Sequence, residues 1–300
     1  MTNKEIKKES GFTGGGITTR KKSEQIAELN QLIESINGRF SNYQTFPTSF
    51  INDYGAHISH KYTVNQLSLD YARLTFLSKN LDLEGLNIVE YGSNLGFFCL
   101  SIAKRFNTHV KGYEPIAQYC RSAEIIANLI GVEERVTFLN HSVKMRDINE
   151  MDESDLLIEL NVLHHSGSIF DQEVMSKCGG WKSYAIERLS AMRKKSRKLF
   201  FQTGNMSNGK ALFSSQESVD FVSEILRASG WSIQAIGMIA NLKPDRLVYG
   251  TYTEDFMDTI PRYKCRRDAK TNTVVYENTT SGETIHLKTG LANRPLWICE

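Results

Sequence analysis

Long apolar runs are missing from this sequence of 300 residues. None approaches the stretch of about 18 apolar residues that would span a bilayer, so a membrane-crossing helix is excluded. The opening residues, MTNKEIKKES, contain no apolar core of the kind a secretory leader carries. Cysteines are few and odd in number: five, at 99, 120, 178, 265 and 299, with no CxxC. That supports neither a disulfide framework nor a structural zinc site, and makes the cytoplasm the expected compartment. A charge excess is also missing. Thirty-six basic and 34 acidic residues leave +2, which argues against a surface built throughout for polyanions and leaves room for local basic patches.

What is present is an ordinary globular composition, 40% hydrophobic and 23% charged, with chain enough to bury a full core. Length alone fits two domains or one large α/β domain with extensions. Residues 1–25, with Gly14-Gly15-Gly16, six Lys/Arg and little apolar content, read as a flexible arm. Residues 26–82 read as a helical and aromatic N-terminal extension. Ile26, Leu29, Ile33 and Ile36 predict a helix over 23–37, with Ser23 as N-cap and Gly38 as stop. Phe40, Tyr43, Phe46, Phe50, Tyr54 and Tyr62 follow in an irregular stretch, and Leu67, Tyr71, Leu74 and Leu77 predict a helix over 64–81. From 83 to 254 the rhythm changes to short apolar strands alternating with helices. Strands are expected at 87–91, 109–113, 135–139, 155–163, 198–203, 231–239 and 246–253, and helices at 97–106, 117–130, 173–196 and 215–229. The pattern implies a doubly wound, Rossmann-like α/β fold with a mainly parallel seven-stranded sheet. The two final strands have no helix between them and should pair antiparallel. Residues 255–300 are more polar and read as a small C-terminal extension.

The chemistry concentrates at Ile88-Val-Glu-Tyr-Gly-Ser-Asn-Leu-Gly-Phe-Phe98. Glu90 lies at a strand end. Gly92 and Gly96 flank Ser93, Asn94 and Leu95, and a helix begins at once. A glycine at the strand end permits the tight turn, a second lets a ligand approach the backbone, and the helix start offers free N–H groups. The spacing is not G-x-G-x-x-G, and no G-x-x-x-x-G-K-[ST] occurs, which argues against a nicotinamide site and excludes a P-loop. The second strand ends in Glu114-Pro115. Proline holds Glu114 extended, and a carboxylate at that strand tip is suited to both hydroxyls of a ribose. Asn140-His141-Ser142 follows the third strand. The fourth carries Glu159, Asn161, His164 and His165 toward the ligand side, and histidine is the side chain best able to take a proton near neutral pH. The pair reads either as a general base or as a hydrogen-bonded support for the loop. Neighbouring histidines on a strand face opposite sides, which argues against metal.

Glu90 with Gly92-x-x-x-Gly96 resembles the first motif of class I S-adenosylmethionine (SAM) methyltransferases. The resemblance implies SAM as cofactor, with Glu90 near its amino group and the backbone of Gly92, Ser93, Asn94 and Gly96 against it. Glu114 and Pro115 would lie at its ribose, Ser142 at its adenine, and Leu160 and Asn161 at the methyl-transfer end, with His164 or His165 as catalytic base. Tyr43-Gln44-Thr45-Phe46, Leu83-Glu84-Gly85, Gly92-Ser93-Asn94-Leu95-Gly96-Phe97-Phe98 and Asn161-Val162-Leu163-His164-His165 further resemble the methyltransferase domain of bacterial O-antigen chain-terminating enzymes. That implies that Tyr43 and Gln44 fold over the cofactor, with Lys61 near its carboxylate, and that the acceptor is a saccharide or a phosphorylated small molecule or glycan. The chain has no room for the kinase domain that some of those enzymes carry.

Two basic clusters stand apart. Residues 188–198 hold six cations and no acid, and Arg262, Lys264, Arg266 and Arg267 form a second group. Each reads as a solvated face or as a docking surface for an anionic acceptor such as RNA or a phosphoglycan. The alternatives to a small-molecule methyltransferase are therefore an RNA or tRNA methyltransferase using these patches, and a non-catalytic binding subunit of the same fold.

Overall fold

The computed structural model describes residues 15–36, 44–59, 69–243, 246–271, 273–287 and 293–300; Tyr43 and Lys61 lie outside them. The first helix, α1 (Gly15–Ser35), begins eight residues ahead of Ser23, so part of the expected arm is helical and Ser23 is not its cap. From Ile17 to Ser35 nothing breaks a helix, and Lys, Arg, Glu and Gln favour one. Leu29, Ile33 and Ile36 are buried. Arg121 forks onto Glu28, at 2.7 and 3.1 Å, and ties α1 to the outside of a later helix. Two further helices, α2 (Thr48–Tyr54) and α3 (Leu69–Asn80), complete the described extension.

Five strands then run parallel: β1 (Asn87–Tyr91), β2 (His109–Tyr113), β3 (Val136–Leu139), β4 (Ser154–Leu160) and β5 (Ser196–Gln202), in the order β3-β2-β1-β4-β5. They are short and apolar because both faces are covered. Between them lie α4 (Phe97–Arg105), α5 (Ala117–Ile130), α6 (Gln172–Lys177) and α7 (Trp181–Arg193). In α5, Tyr119, Ala123, Ile126, Ala127 and Ile130 recur at helical spacing and are all buried. Each large apolar side chain so buried contributes about 1.5–3 kcal/mol. The single helix expected over 173–196 is two helices, because Gly179 and Gly180 both take positive φ. The fourth strand stops at Leu160 rather than 163, because Asn161 turns left-handed at φ 61°.

A small hairpin of β6 (Met206–Ser207) and β7 (Lys210–Ala211), then α8 (Ser218–Ala228), lead to β8 (Ile233–Lys243) and β9 (Arg246–Tyr252), which pair antiparallel as expected. β10 (Tyr263–Asp268), β11 (Thr273–Asn278) and β12 (Thr284–Leu287) form a separate small sheet. The chain then returns. β13 (Leu296–Cys299) inserts antiparallel between β5 and β8, which makes the main sheet eight-stranded. The segment after 254 is thus not only an extension. Leu296, Trp297, Ile298 and Cys299 are at most 1% exposed, an apolar run fit for a fully buried strand.

Candidate cofactor and acceptor site

β1 pairs with β2 on one side and β4 on the other. The connections from these neighbours lead away in opposite directions, which opens a crevice beyond the strand tips, where open α/β sheets bind ligands. A cavity of about 310 Å³ occupies that place, within the range of small-molecule sites.

The turn after β1 forms its edge. Gly92 and Gly96 have φ of 75° and 78°, and Asn94 has 52°, a value asparagine tolerates better than most residues. A Cβ at Gly92 would sit 2.5 Å from Val162 Cγ2; one at Gly96 would sit 2.7 Å from the Phe138 ring. Gly92 N and Ser93 N both donate to Tyr113 O, at 2.8 and 3.1 Å, locking the turn to the end of β2. The next residue of that strand's exit is Glu114. Its Oε2 accepts from Asn94 N at 2.9 Å and its Oε1 from Ile116 N at 3.0 Å. Glu114 is buried, and burial pushes its carboxyl up to about 7 although both N–H donors pull it down. Each oxygen keeps a second lone pair for a ligand.

Of the expected site residues, Gly92, Asn94, Glu114, Pro115, Ser142, Asn161 and His165 line the cavity. The others do not, among the described residues. Glu90 lies below it and accepts from Cys99 Sγ at 2.9 Å; burial pushes its carboxyl up to about 8, with Asp70 and Glu114 adding to the effect. Ser93 is fully buried, Gly96 packs on Phe138, and Leu160 ends its strand without reaching the cavity. Gln44 is no lid. Its Oε1 accepts from Phe97 N at 3.1 Å, occupying one of the open N–H groups at the start of α4. Tyr43 and Lys61 fall outside the described residues.

The two histidines part company. His164 Nδ1 accepts from Gly204 N at 3.2 Å, and His164 is not among the lining residues. His165, its ring 4.0 Å from that of His164, is on the cavity wall. Asn161 is pinned: its Nδ2 donates to Gln202 Oε1 at 3.0 Å, and its Oδ1 accepts from Arg294 Nη1 at 2.6 Å. Among the described residues no group of three or more His, Cys, Asp or Glu is placed to hold a metal.

Several lining residues were not anticipated: Tyr91, Tyr113, Tyr119, His141, Val162, Phe170 and Arg188. Tyr91 and Tyr113 are simply the last residues of β1 and β2. Arg188 was hidden inside the basic run. It is fully buried, with its Nη2 3.0 Å from the equally buried Glu159 Oε2. The signal was periodicity: Trp181, Tyr184, Ala185, Arg188, Leu189 and Met192 share the buried face of α7.

Four of the six cations in 188–198 have partners. Arg188 pairs with Glu159, Arg197 with Asp155 and Lys198 with Glu300, while Arg193 lies over the Trp231 ring. Its later residues stand at the start of β5, a strand length of roughly 20 Å from the tips that carry the cavity. In the second group Arg262 pairs with Asp220, and Lys264 and Arg266 are exposed. No helix among the described residues is long and apolar enough to cross a membrane.

No protein-family model and no curated protein matches the sequence. Solved structures give distant likenesses. A candidate RNA methyltransferase of Pyrococcus horikoshii is 9% identical with a TM-score of 0.42, over 92% of this chain and 98% of that one. The magnesium protoporphyrin IX methyltransferase of Synechocystis PCC 6803, with bound SAH, is 15% identical with a TM-score of 0.43, over 76% and 96%. A SAM-dependent methyltransferase of Geobacter sulfurreducens in complex with S-adenosyl-L-homocysteine is 16% identical with a TM-score of 0.38, over 64% and 74%. Scores and identities this low leave function to be read from the site itself.

Proposed function

We propose that this chain is a SAM-dependent methyltransferase acting on a polar acceptor, a saccharide or a phosphorylated small molecule or glycan. The observation that carries the reading is the Glu114 carboxylate. It is held by Asn94 N from the β1 turn and by Ile116 N, and it lines a cavity at the point where the strand order reverses. The residues present suit the cofactor. Gly92 leaves space that a side chain would fill, Glu114 has acceptor capacity for two ribose hydroxyls, and Ser142 and His141 stand beyond β3 where an adenine would lie.

When bound, SAM supplies a methyl group activated by its sulfonium. The chain's own work is mostly positioning: the turn and Glu114 fix one end, and pinned Asn161 shapes the transfer end beside His165. If the acceptor atom is a hydroxyl oxygen, His165 is placed to take its proton; a phosphate oxygen needs no base. Within 188–198, Arg188, Arg197 and Lys198 are paired with acids, which leaves less of the run for an RNA acceptor.

Calorimetric titration with SAM and with S-adenosylhomocysteine (SAH) tests the reading, together with mass spectrometry of small molecules retained on purification. Micromolar binding of both compounds is expected. Absence of binding to either would refute the reading.

A further inference from the structure

The guanidinium of Arg188 sits in the cavity wall with no side-chain exposure to bulk solvent. Glu159 takes only Nη2. Nε and Nη1 have no acceptor among the described residues. The Phe170 ring lies 5.4 Å from the guanidinium carbon. The Tyr184 hydroxyl donates to Asp171 Oδ2 at 2.6 Å and, beside the guanidinium, helps hold its charge. Buried N–H donors in a native fold are nearly always met, and an arginine keeps its charge at any accessible pH. A carboxylate behind the guanidinium and open donors in front describe a cation held in place for a ligand.

The position says which part of the ligand. Glu114 and Ser142 mark one end of the cavity, whereas Arg188 shares the other with His165, Ile169 and Phe170. Among the described lining residues Glu114 is the only carboxylate, and Glu159, behind Arg188, is held by its Nη2. Ile169, half exposed, and Phe170 add an apolar wall.

We propose that Arg188 binds an oxyanion, carboxylate or phosphate, on the acceptor, whose apolar body packs on Ile169 and Phe170. This rests on the methyltransferase reading for the word acceptor, but the oxyanion site is testable apart from it. SAH-saturated full-length protein would be titrated calorimetrically with benzoate, phenyl phosphate and the neutral benzamide. At least one anion should bind tenfold or more tightly than benzamide, and whichever does so identifies the oxyanion. The preference should narrow at least fivefold in Arg188→Lys, which keeps the charge but not the guanidinium donors. It should vanish in the double variant Glu159→Leu/Arg188→Met, which removes both charges and so leaves no lone buried carboxylate to unfold the protein. Thermal melts check that each variant folds. Equal binding of all three probes by the wild type, or a preference kept in full by either variant, overturns the proposal. Failure of SAH to bind, with the anion preference intact, counts against the methyltransferase reading and not against the Arg188 site.

Discussion

On the proposed function, the Glu114 carboxyl should make SAH affinity a function of pH. Burial raises it from 4.5 to about 7 in the free protein. Ribose hydroxyls donating to it favour the ionised form, so a ligand must expel the proton wherever one is bound. The sign follows: affinity is complete above pH 7 and falls as the pH drops below it. One pH unit under the midpoint only about a tenth of the molecules are ionised, so the dissociation constant should be about tenfold weaker at pH 6 than at pH 8, or ~1.4 kcal/mol. Calorimetry at pH 6, 7 and 8, in two buffers of different ionisation enthalpy, reads both the affinity and the proton released. Glu114→Gln should weaken binding at pH 8 by about 1–3 kcal/mol, the scale of a hydrogen bond to a charged group, and should flatten the pH dependence. A wild-type affinity constant from pH 6 to 8 would refute the reasoning. So would a slope that survives unchanged in Glu114→Gln, since another group would then be titrating.

Three further outcomes are expected. Glu90, raised by burial to about 8, binds a proton in the native state that the unfolded chain has released above about 4.5, so stability declines as pH rises across that window. Glu90→Gln should therefore gain on the order of a few kcal/mol over wild type at pH 9 and little at pH 5 by urea denaturation; an equal difference at both values contradicts this. His165→Ala should lower methyl transfer by about 10²–10⁴-fold with SAH affinity within about twofold. His164→Ala should instead cost stability, about 1 kcal/mol for the lost bond to Gly204, and wild-type turnover in both variants removes the base role. Stopping the chain before Leu296 removes four fully buried residues, worth on the order of 5–10 kcal/mol, comparable to the stability of a whole domain. Circular dichroism should show no cooperative melt, and a transition within a few degrees of the full chain would refute the role given to β13.

The parts legible in the sequence are those where local chemistry and global placement coincide. Gly92, Asn94 and Glu114 announce a turn and a strand tip, and the topology does bring them together around one cavity. Legibility ends where direction matters. Glu90 sits one residue from Tyr91, but strand alternation sends it to the other face, toward Cys99. His164 and His165 are indistinguishable as letters; only the short helical turn they share decides which reaches the cavity. Arg188 looked like one cation among six because charge was counted along the chain rather than around α7. β13 was missed because four buried residues after a polar stretch carry no period, and the partners they need lie about a hundred residues upstream in β5 and sixty upstream in β8.

That late partner has a consequence for biosynthesis. Until Cys299 has emerged from a translating ribosome, β5 and β8 each present a bare edge to solvent, and a bare edge invites pairing with other chains. The sheet behaves as a zip whose slider is threaded after both of its sides. Stalled or clipped products should therefore be the aggregating species in expression, even when every residue around the cavity has been made.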